Sequence, residues 1–438
     1  MLPNNTKTAI LVIHGVGPHK RYQACDDFAR GFLDVFKEKK DPDVKLKHLL
    51  KPRKERVQSC ISLYTPGKNG FIDCYEYFWD IHMVHKVLPS EAWDLLEKAS
   101  KNAKDYYDNL FKDPKIVAEI TDLDNLLESP LFRKRKRKKK EESGLEFRPD
   151  GYLRLIGGGT IFIVKIIPYI PWVIKLLELL SSIQVPVVSQ VYGVLSRLFK
   201  ALAGLFQNQL EKNFMGDLVR YLDMDPRSKY YETRQKIING AVEELCALMD
   251  DDYDQIIIAG HSLGSVIAYD TLNRIILQIN AGKVDKNKAD KIKGLVTFGS
   301  PLDKIAFFFR EYISSEKKIQ RKILADMHTF RTCSLLKAAE DIEDPDPFYV
   351  FPEVRWLNFW HPKDFISGKL DLYNLSEVPP KYVGTVRKDG TKDGTKDGNI
   401  RIDEGKMKVL TAHTCYWGAQ QGRGTSKMQE AIIIEFFS

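Results

Sequence analysis

The chain has 438 residues, 43% of them hydrophobic, which is enough to bury one elaborated core or about two to three simple ones. Its six cysteines are scattered, with no Cys-x-x-Cys pair and no Cys/His cluster at metal spacing, so we expect neither a structural metal nor another cofactor. The net charge of +8 comes from a single run of basic residues at 133–140, so the basicity is a local patch and not a property of the whole fold.

The amino-terminal segment, residues 1–8, is short and polar and shows no secretory signal, which together with the scattered cysteines predicts a cytoplasmic protein. It leads into an apolar run at 8–13 that predicts a buried strand, and Gly15, Val16 and Gly17 follow in a turn of small residues. A serine hydrolase of the α/β type places its oxyanion-hole loop after such a strand, because small residues let backbone N–H groups point at the developing charge. The turn lacks the Gly-Lys-Ser/Thr ending of a phosphate-binding loop.

The next elements are an amphipathic helix at 26–39 and a strand at 71–79. From 81 to 215 the composition changes to charged, helical sequence, then the basic run, then an apolar region at 155–206. We expect helices that lie on a bilayer surface or form a lid, with a helical subdomain buried against the core as the alternative. A membrane span is disfavoured because it needs roughly 20 mostly apolar residues, and the longest uncharged run, 179–196, is interrupted by polar ones.

The basic run beside this apolar region predicts an anionic membrane surface as a partner, since each Lys or Arg gains roughly 1 kcal/mol there. A solvated loop, a nuclear-import-like tract and a nucleic-acid patch are the alternatives. No RNA- or DNA-binding motif accompanies the run, so no nucleic-acid partner is expected. The predicted membrane-binding residues are Arg133, Lys134, Arg135, Lys136, Arg137, Lys138, Lys139 and Lys140.

The most informative pattern is Gly-x-Ser-x-Gly at 260–264. An apolar run at 255–259 precedes it, and apolar residues at helical spacing follow it, so the segment predicts strand, sharp turn and helix. This is the pattern of a nucleophile elbow, with Ser262 as the nucleophile; a purely structural glycine-rich turn is the alternative. We expect Gly260 and Gly264 to be required because a side chain at either position would meet the neighbouring strand or helix.

A serine nucleophile needs a base, usually histidine, and the base needs an acid to orient it. In α/β-hydrolases the chain order is Ser, then Asp or Glu, then His. Of the histidines after Ser262, His413 lies late in the chain, beyond a glycine-bearing loop, and is the predicted base. His361 stands beside the predicted acid and is interpreted as structural or as a group that supports the catalytic residues, and His328 is the remaining choice.

The predicted acid is Asp364, because it follows the predicted strand 353–360 by a short turn, at the carboxyl edge of a largely parallel sheet. A further strand is predicted at 293–298, and one long helix, or two helices, over 216–248. The oxyanion is expected to meet the backbone N–H of Leu263 and those of the turn at 15–17. The competing carboxylates are Asp303, Asp371 and Asp403.

Four short blocks resemble the DDHD-domain intracellular phospholipases, and with the early His-Gly-x-Gly turn they also resemble a broader set of bacterial α/β-hydrolases; the blocks are 260–270, 299–302, 359–364 and 413–417. The resemblance covers the catalytic core and not residues 82–215. Asp364, Asp403 and His413 match three of the four residues that name the family, and no aspartate follows Trp417, which is typical of a relative rather than a member. The resemblance implies ester hydrolysis on a membrane lipid.

The sequence therefore predicts an α/β fold of the α/β-hydrolase type, a mostly parallel sheet with helices on both faces, formed by residues 6–80 and 216–438. Residues 81–215 are the predicted helical insertion. The predicted function is that of a serine carboxylic-ester hydrolase, similar to a phospholipase or lysophospholipase, which acts peripherally on membrane lipids. Two alternatives stay open: an esterase or thioesterase for soluble substrates with the insertion as a lid, and a membrane-associated scaffold without turnover.

Overall fold

The protein is described by a computed structural model in two compact units, Met1–Val84 with Tyr231–Asp303 and Ile313–Ser438, and His85–Tyr230 with Lys304–Tyr312. All predicted site residues within the described part of the chain belong to the first unit, apart from Arg133 and Lys134. The residues that the structure describes are 5–17, 19–38, 43–53, 56–83, 132–134, 145–147, 217, 220–222, 226–302, 330, 351, 353–361, 364, 366–368, 370, 373, 375, 381, 398–402, 413, 415–417 and 427–437.

The described residues form ten strands, five helices and two short 3₁₀ turns. The strands are β1 (Lys7–Ile13), β2 (Lys45–Arg53), β3 (Arg56–Tyr64), β4 (Phe71–Tyr77), β5 (Phe132–Lys134), β6 (Leu145–Phe147), β7 (Gln255–His261), β8 (Ile292–Phe298), β9 (Arg355–Trp360) and β10 (Asn399–Arg401). The helices are α1 (Gln23–Glu38), α2 (Tyr231–Asp250), α3 (Leu263–Asn280), α4 (Lys286–Ala289) and α5 (Lys427–Phe436), with short 3₁₀ turns at Trp79–His82 and Cys415–Trp417.

The first unit is organised around an eight-stranded sheet of order β10-β9-β8-β7-β1-β4-β3-β2. Neighbours from β10 to β4 pair in parallel, and β3 is antiparallel to both β4 and β2. The central strands β1 and β7 are apolar almost throughout and buried after their first residue, as expected of parallel strands covered on both faces. The second unit contains the antiparallel pair β5 and β6.

Helices cover both faces of the sheet, and residue alternation along the strands separates the two layers. Leu357 and Phe359 of β9 belong to the core cluster that includes the buried faces of α1 and α5. Trp356 points the other way and packs on Tyr269 of α3, with ring centroids 5.5 Å apart. The arrangement is an α/β fold with a mostly parallel sheet, as predicted.

The predicted strands at 8–13, 255–259 and 293–298 are confirmed as β1, β7 and β8, and the helix predicted at 26–39 is confirmed as α1. The strand predicted at 71–79 is too long, because β4 ends at Tyr77 and Trp79 begins a 3₁₀ turn. The hairpin of β2 and β3 and the edge strand β10 were not predicted.

The predictions for the insertion fall largely outside the described residues. That holds for the apolar region at 155–206 and for most of the basic run, of which only the backbone of Arg133 and Lys134 in β5 is described. Among the helices of the described residues, none combines the length and the apolar character that crossing a bilayer requires.

Candidate active site

The turn between β7 and α3 has the geometry of a nucleophile elbow. Ser262 follows the last residue of β7, precedes the first residue of α3, and adopts φ 51° and ψ −124°. Among the described non-glycine residues only Tyr22 shares a positive φ. Such a conformation costs about 1–3 kcal/mol, so the surrounding contacts must hold it in place.

Two glycines make this turn sterically possible. A Cβ on Gly260 would lie 2.5 Å from the carbonyl oxygen of Gly264 and from Cα of Ser265, inside the first turn of α3. A Cβ on Gly264 would collide with the carbonyl oxygens of Ile13 and His14, at the end of β1. The predicted need for small residues on either side of Ser262 is therefore confirmed, with the helix as the obstacle in one instance and the strand end in the other.

The backbone N–H and carbonyl groups of Ser262 are hydrogen-bonded, whereas its side-chain hydroxyl has no partner among the described residues. Its N–H donates to the carbonyl of Phe298 at 3.0 Å, and its own carbonyl accepts from the Ser265 hydroxyl at 2.5 Å. The residue is 1% exposed, yet its Oγ has no hydrogen-bond partner among the described residues. A buried hydroxyl without a partner costs about 1–3 kcal/mol, which makes this atom a candidate for a functional role.

Asp364 and His413, which lie 49 residues apart in the chain, form a direct pair. His413 Nδ1 lies 2.9 Å from Asp364 Oδ2 and 3.1 Å from Oδ1. An ionised carboxylate only accepts, so Nδ1 carries a proton; in the neutral form of the ring Nε2 is then the acceptor. His413 Nε2 is buried and has no partner among the described residues.

The carboxylate of Asp364 is itself oriented by several donors. The Tyr416 hydroxyl donates to Oδ2 at 2.8 Å, and the backbone N–H groups of Ile366 and Ser367 donate to Oδ1 at 2.9 and 3.3 Å. Donors to a carboxylate stabilise its negative charge and fix its plane. Tyr416 was not predicted as a site residue, and its place beside Trp417 in a matched block was the available signal.

The His413 ring lies at the end of β8, the strand that neighbours β7 and therefore Ser262. His261 at the end of β7 pairs with Phe298 at the end of β8, so Ser262 and Gly299 follow at the same level on neighbouring strands. A Cβ on Gly299 would lie 3.1 Å from His413 Cε1, which places that ring over the end of β8. Ser262 Oγ and His413 Nε2 do not form a hydrogen bond in this structure. Catalytic contacts of this kind often tighten only when substrate is bound.

His261 packs against His413, the predicted base. Its Nε2 lies 2.9 Å from the carbonyl oxygen of His413, and its ring packs against His413 and Trp417, with centroids 4.8 and 4.9 Å away. Because a carbonyl only accepts, Nε2 is the protonated nitrogen. Burial lowers the pKa of His261 well below its usual value, so the ring is neutral and acts as a packed support.

The predicted oxyanion-hole residues lie against the elbow. A Cβ on Gly15 would lie 2.8 Å from Ser262 Cβ, so glycine is required for the close approach of the two turns. Gly17 has φ 107°, and nothing lies within 4 Å of the place where its Cβ would stand, so this part of the turn faces open space. Leu263 is the first residue of α3, where backbone N–H groups have no intrahelical acceptor. Val16 lies between the two glycines and is partly exposed.

His361 takes a structural place. It is 2% exposed, its carbonyl accepts from the Asp364 N–H at 2.9 Å, and its own N–H donates to Ser367 Oγ at 3.4 Å. It therefore shapes the turn that presents Asp364. The competing candidates His328, Asp303, Asp371 and Asp403 lie outside the described residues.

No protein-family model, no curated protein and no solved structure matches the chain. Within the described residues, no group of three or more His, Cys, Asp or Glu side chains is arranged to hold a metal ion. The α/β fold with its buried serine elbow and its Asp–His pair therefore carries the functional argument.

Proposed function

We propose that the protein is a serine hydrolase of the α/β-hydrolase type, related to the DDHD-domain phospholipases, that cleaves carboxylic esters of membrane lipids. The observation that carries the proposal is the strained elbow, where Ser262 combines a φ of 51° with a buried hydroxyl that has no partner among the described residues. The pairing of His413 with Asp364 supplies the second requirement of such a site.

In the proposed reaction Ser262 Oγ attacks the acyl carbonyl carbon while its proton passes to His413 Nε2. Asp364, bound at 2.9 Å to Nδ1, stabilises the imidazolium that forms. The oxyanion is held by N–H groups of Leu263 and of the turn at 15–17. The tetrahedral intermediate collapses, the alcohol leaves with the proton from His413, and water repeats the sequence to release the fatty acid and restore Ser262.

The proposal that the substrate is a membrane lipid is based on the insertion, and the elbow does not bear on it. Residues 133–140 are all basic and precede the apolar region at 155–206, a combination that favours a peripheral position at an anionic bilayer. A basic segment there would concentrate the enzyme where its substrate is, and apolar helices would let an acyl chain enter without crossing water.

The proposal is tested by labelling the purified protein with a fluorophosphonate probe, with and without anionic liposomes, beside Ser262→Ala. We expect labelling of the wild type only, and a faster reaction when liposomes are present. Labelling without any effect of liposomes would favour an esterase or thioesterase for soluble substrates. Absence of labelling in folded wild-type protein would reject the hydrolase and leave a membrane-associated scaffold.

The membrane partner is tested separately by deleting residues 133–140. We expect weaker sedimentation with anionic vesicles and unchanged hydrolysis of a short soluble ester, because the run is distant in sequence from every proposed catalytic residue. Unchanged vesicle binding would remove the basic run from the proposal without touching the serine chemistry.

A further inference from the structure

The turn at 14–17 is held by side-chain ring N–H groups, which donate hydrogen bonds to three successive backbone carbonyls. Trp79 Nε1 donates to the carbonyl of His14 at 2.8 Å. His14 Nδ1 lies 2.8 Å from the carbonyl oxygen of Gly15, and His19 Nε2 lies 3.3 Å from that of Val16. Since carbonyl oxygens only accept, each of these ring nitrogens is the protonated one. Three consecutive peptide units of the predicted oxyanion-hole turn are thus each fixed by a ring N–H.

A fixed carbonyl also fixes the N–H of the next residue. In a trans peptide unit the C=O and the following N–H point in opposite directions. The bond from His14 to the Gly15 carbonyl therefore turns the Val16 N–H away from the His14 ring. The bond from His19 to the Val16 carbonyl does the same for the Gly17 N–H. These are two of the N–H groups to which oxyanion binding is assigned above.

The orientation of these N–H groups needs to be fixed because the turn requires glycine at positions 15 and 17. Gly15 cannot carry a side chain without striking Ser262, and Gly17 has a positive φ. Peptide units beside glycine rotate easily, since glycine tolerates both signs of φ. A rotated peptide unit would present its carbonyl oxygen where the N–H group should be. That oxygen carries partial negative charge and would repel the oxyanion.

The donor rings are themselves immobilised and uncharged. His14 is fully buried, stacks on Trp79 with centroids 5.0 Å apart, and lies 4.6 Å from the His19 ring. Its Nε2 is 3.9 Å from Asp80 Oδ1, too far for a hydrogen bond. Burial is the largest cause that lowers the pKa of His14 to about 3, and burial also lowers that of His19. Both rings are therefore neutral near pH 7, each with one nitrogen protonated.

We propose that His14 and His19 are positioning residues that keep the Val16 and Gly17 N–H groups aimed for oxyanion binding, with Trp79 anchoring the first peptide unit. The inference rests on the proposed hydrolase function. Neither histidine exchanges a proton with substrate; each acts through the backbone. Losing one oxyanion donor lowers kcat by about 10²- to 10³-fold, so removing the His14 donor is expected to lower kcat by up to that factor.

Matched substitutions separate the donor from the ring. Asparagine places an N–H close to the position of histidine Nδ1, and glutamine close to that of Nε2. His14→Phe keeps an aromatic ring on Trp79 but removes the donor, and His14→Asn restores the donor without the ring. His19→Phe and His19→Gln form the second pair. We expect kcat on a short ester to fall about 10²-fold in both Phe variants with little change in KM, and to recover at least tenfold in His14→Asn and His19→Gln.

Two further readouts distinguish positioning from general stability. A boronic acid, which forms a tetrahedral adduct on serine, should bind the Phe variants more weakly in proportion to their loss of kcat/KM. The pH–rate profile should keep its wild-type shape in His14→Asn. Phe variants that are folded and fully active would overturn the inference, as would Asn and Gln variants no better than the Phe variants.

Nitrogen-15 NMR of the histidine rings tests the inference in the wild type, independently of activity and of the folding of any variant. We expect protonated Nδ1 in His14 and protonated Nε2 in His19. The opposite tautomer in His14 would overturn the inference even if Ser262 is reactive. Failure of Ser262 to react with the fluorophosphonate would instead reject the proposed function, and these tautomers would still show whether the rings hold the turn.

Discussion

Two buried aspartates in the first unit each bind a tyrosine and a basic side chain, but with different consequences. Asp364 accepts from the Tyr416 hydroxyl at 2.8 Å and from His413. Asp73, on β4, accepts from the Tyr253 hydroxyl at 2.8 Å and from the ammonium of Lys51. Each cluster therefore joins one carboxylate, one tyrosine and one basic side chain.

The basic side chain makes the difference. The Lys51 ammonium has only N–H donors, and it binds Asp73 and, at 2.7 Å, the Tyr253 hydroxyl. His413 has a second nitrogen, and that atom is buried with no hydrogen-bond partner among the described residues. An imidazole near neutral pH can take up a proton and return it, whereas an ion-paired ammonium cannot. The same carboxylate–tyrosine unit is thus structural in one place and suited to catalysis in the other.

The largest effect is expected from removing Ser262, the proposed nucleophile. Ser262→Ala should lower kcat/KM by about 10⁵- to 10⁶-fold and abolish fluorophosphonate labelling. It should also raise the free energy of unfolding by about 1 kcal/mol, because a buried hydroxyl without a partner disappears. Esterase assays and urea denaturation measure the two effects. Ser62→Ala, on the strand beside Asp73, is the control and should keep its activity; equal losses in both variants would contradict the assignment.

Identical substitutions in the two aspartates test the comparison directly. Asp364→Asn should reduce kcat by about 10⁴-fold, because an amide favours the wrong tautomer of His413 and does not stabilise its cation. Asp73→Asn should leave kcat within a fewfold of wild type and cost about 1–3 kcal/mol of stability, since Lys51 loses its counter-charge while staying partly solvated. Steady-state kinetics and thermal denaturation of both variants decide between these outcomes. An inactive Asp73→Asn that is fully folded would abolish the distinction.

Tyr416 and Tyr253, which donate to the two aspartates, allow the same comparison with a smaller expected effect on kcat. Tyr416→Phe removes one hydrogen bond to a charged acceptor, worth about 1.5–3 kcal/mol, so kcat should fall by about 10- to 100-fold if that energy is needed in the transition state. Tyr253→Phe should cost about 1–2 kcal/mol of stability at unchanged kcat, because Lys51 and Tyr75 lose a shared partner. The same kinetic and unfolding measurements apply. A larger kinetic effect from Tyr253 than from Tyr416 would reverse the roles.

The last expected effect is on the pH dependence of stability, to which the buried, neutral ring of His14 contributes. His14 has a pKa of about 3 in the folded protein and roughly 6.5 when unfolded. Below pH 6.5 the unfolded chain therefore binds a proton that the folded one does not, and stability falls as the pH decreases. His14→Phe should reduce this slope by about 1.4 kcal/mol per pH unit between about pH 4 and 6. Urea denaturation across that range measures it, and an unchanged slope would show that His14 is charged or exposed when folded.

Local patterns in the sequence were sufficient for the centre of the fold and for the elbow. The strands β1 and β7 are apolar almost throughout and are flanked by glycine turns, which is typical of a strand covered on both faces. The chain order of Ser, Asp and His selected the pair, Asp364 and His413, that the structure brings to 2.9 Å. The hairpin of β2 and β3 escaped prediction because its exposed and partly buried residues follow no clean alternation.

The sequence by itself determined that a strand meets a helix at Gly-x-Ser-x-Gly, because the steric limit at Gly260 acts between residues that are neighbours in the chain. The obstacle at Gly264 is the end of β1, which only the tertiary structure brings there. Only the tertiary structure decided which distant side chains complete the site. Tyr416 binds Asp364 across 52 residues, and Trp79 reaches the His14 carbonyl across 65. Contacts between residues so far apart in the chain depend on how β1, β4, β7 and β8 pair side by side in the sheet. That register is set by how the buried side chains of each strand pack in a shared core, which joins residues distant in the chain.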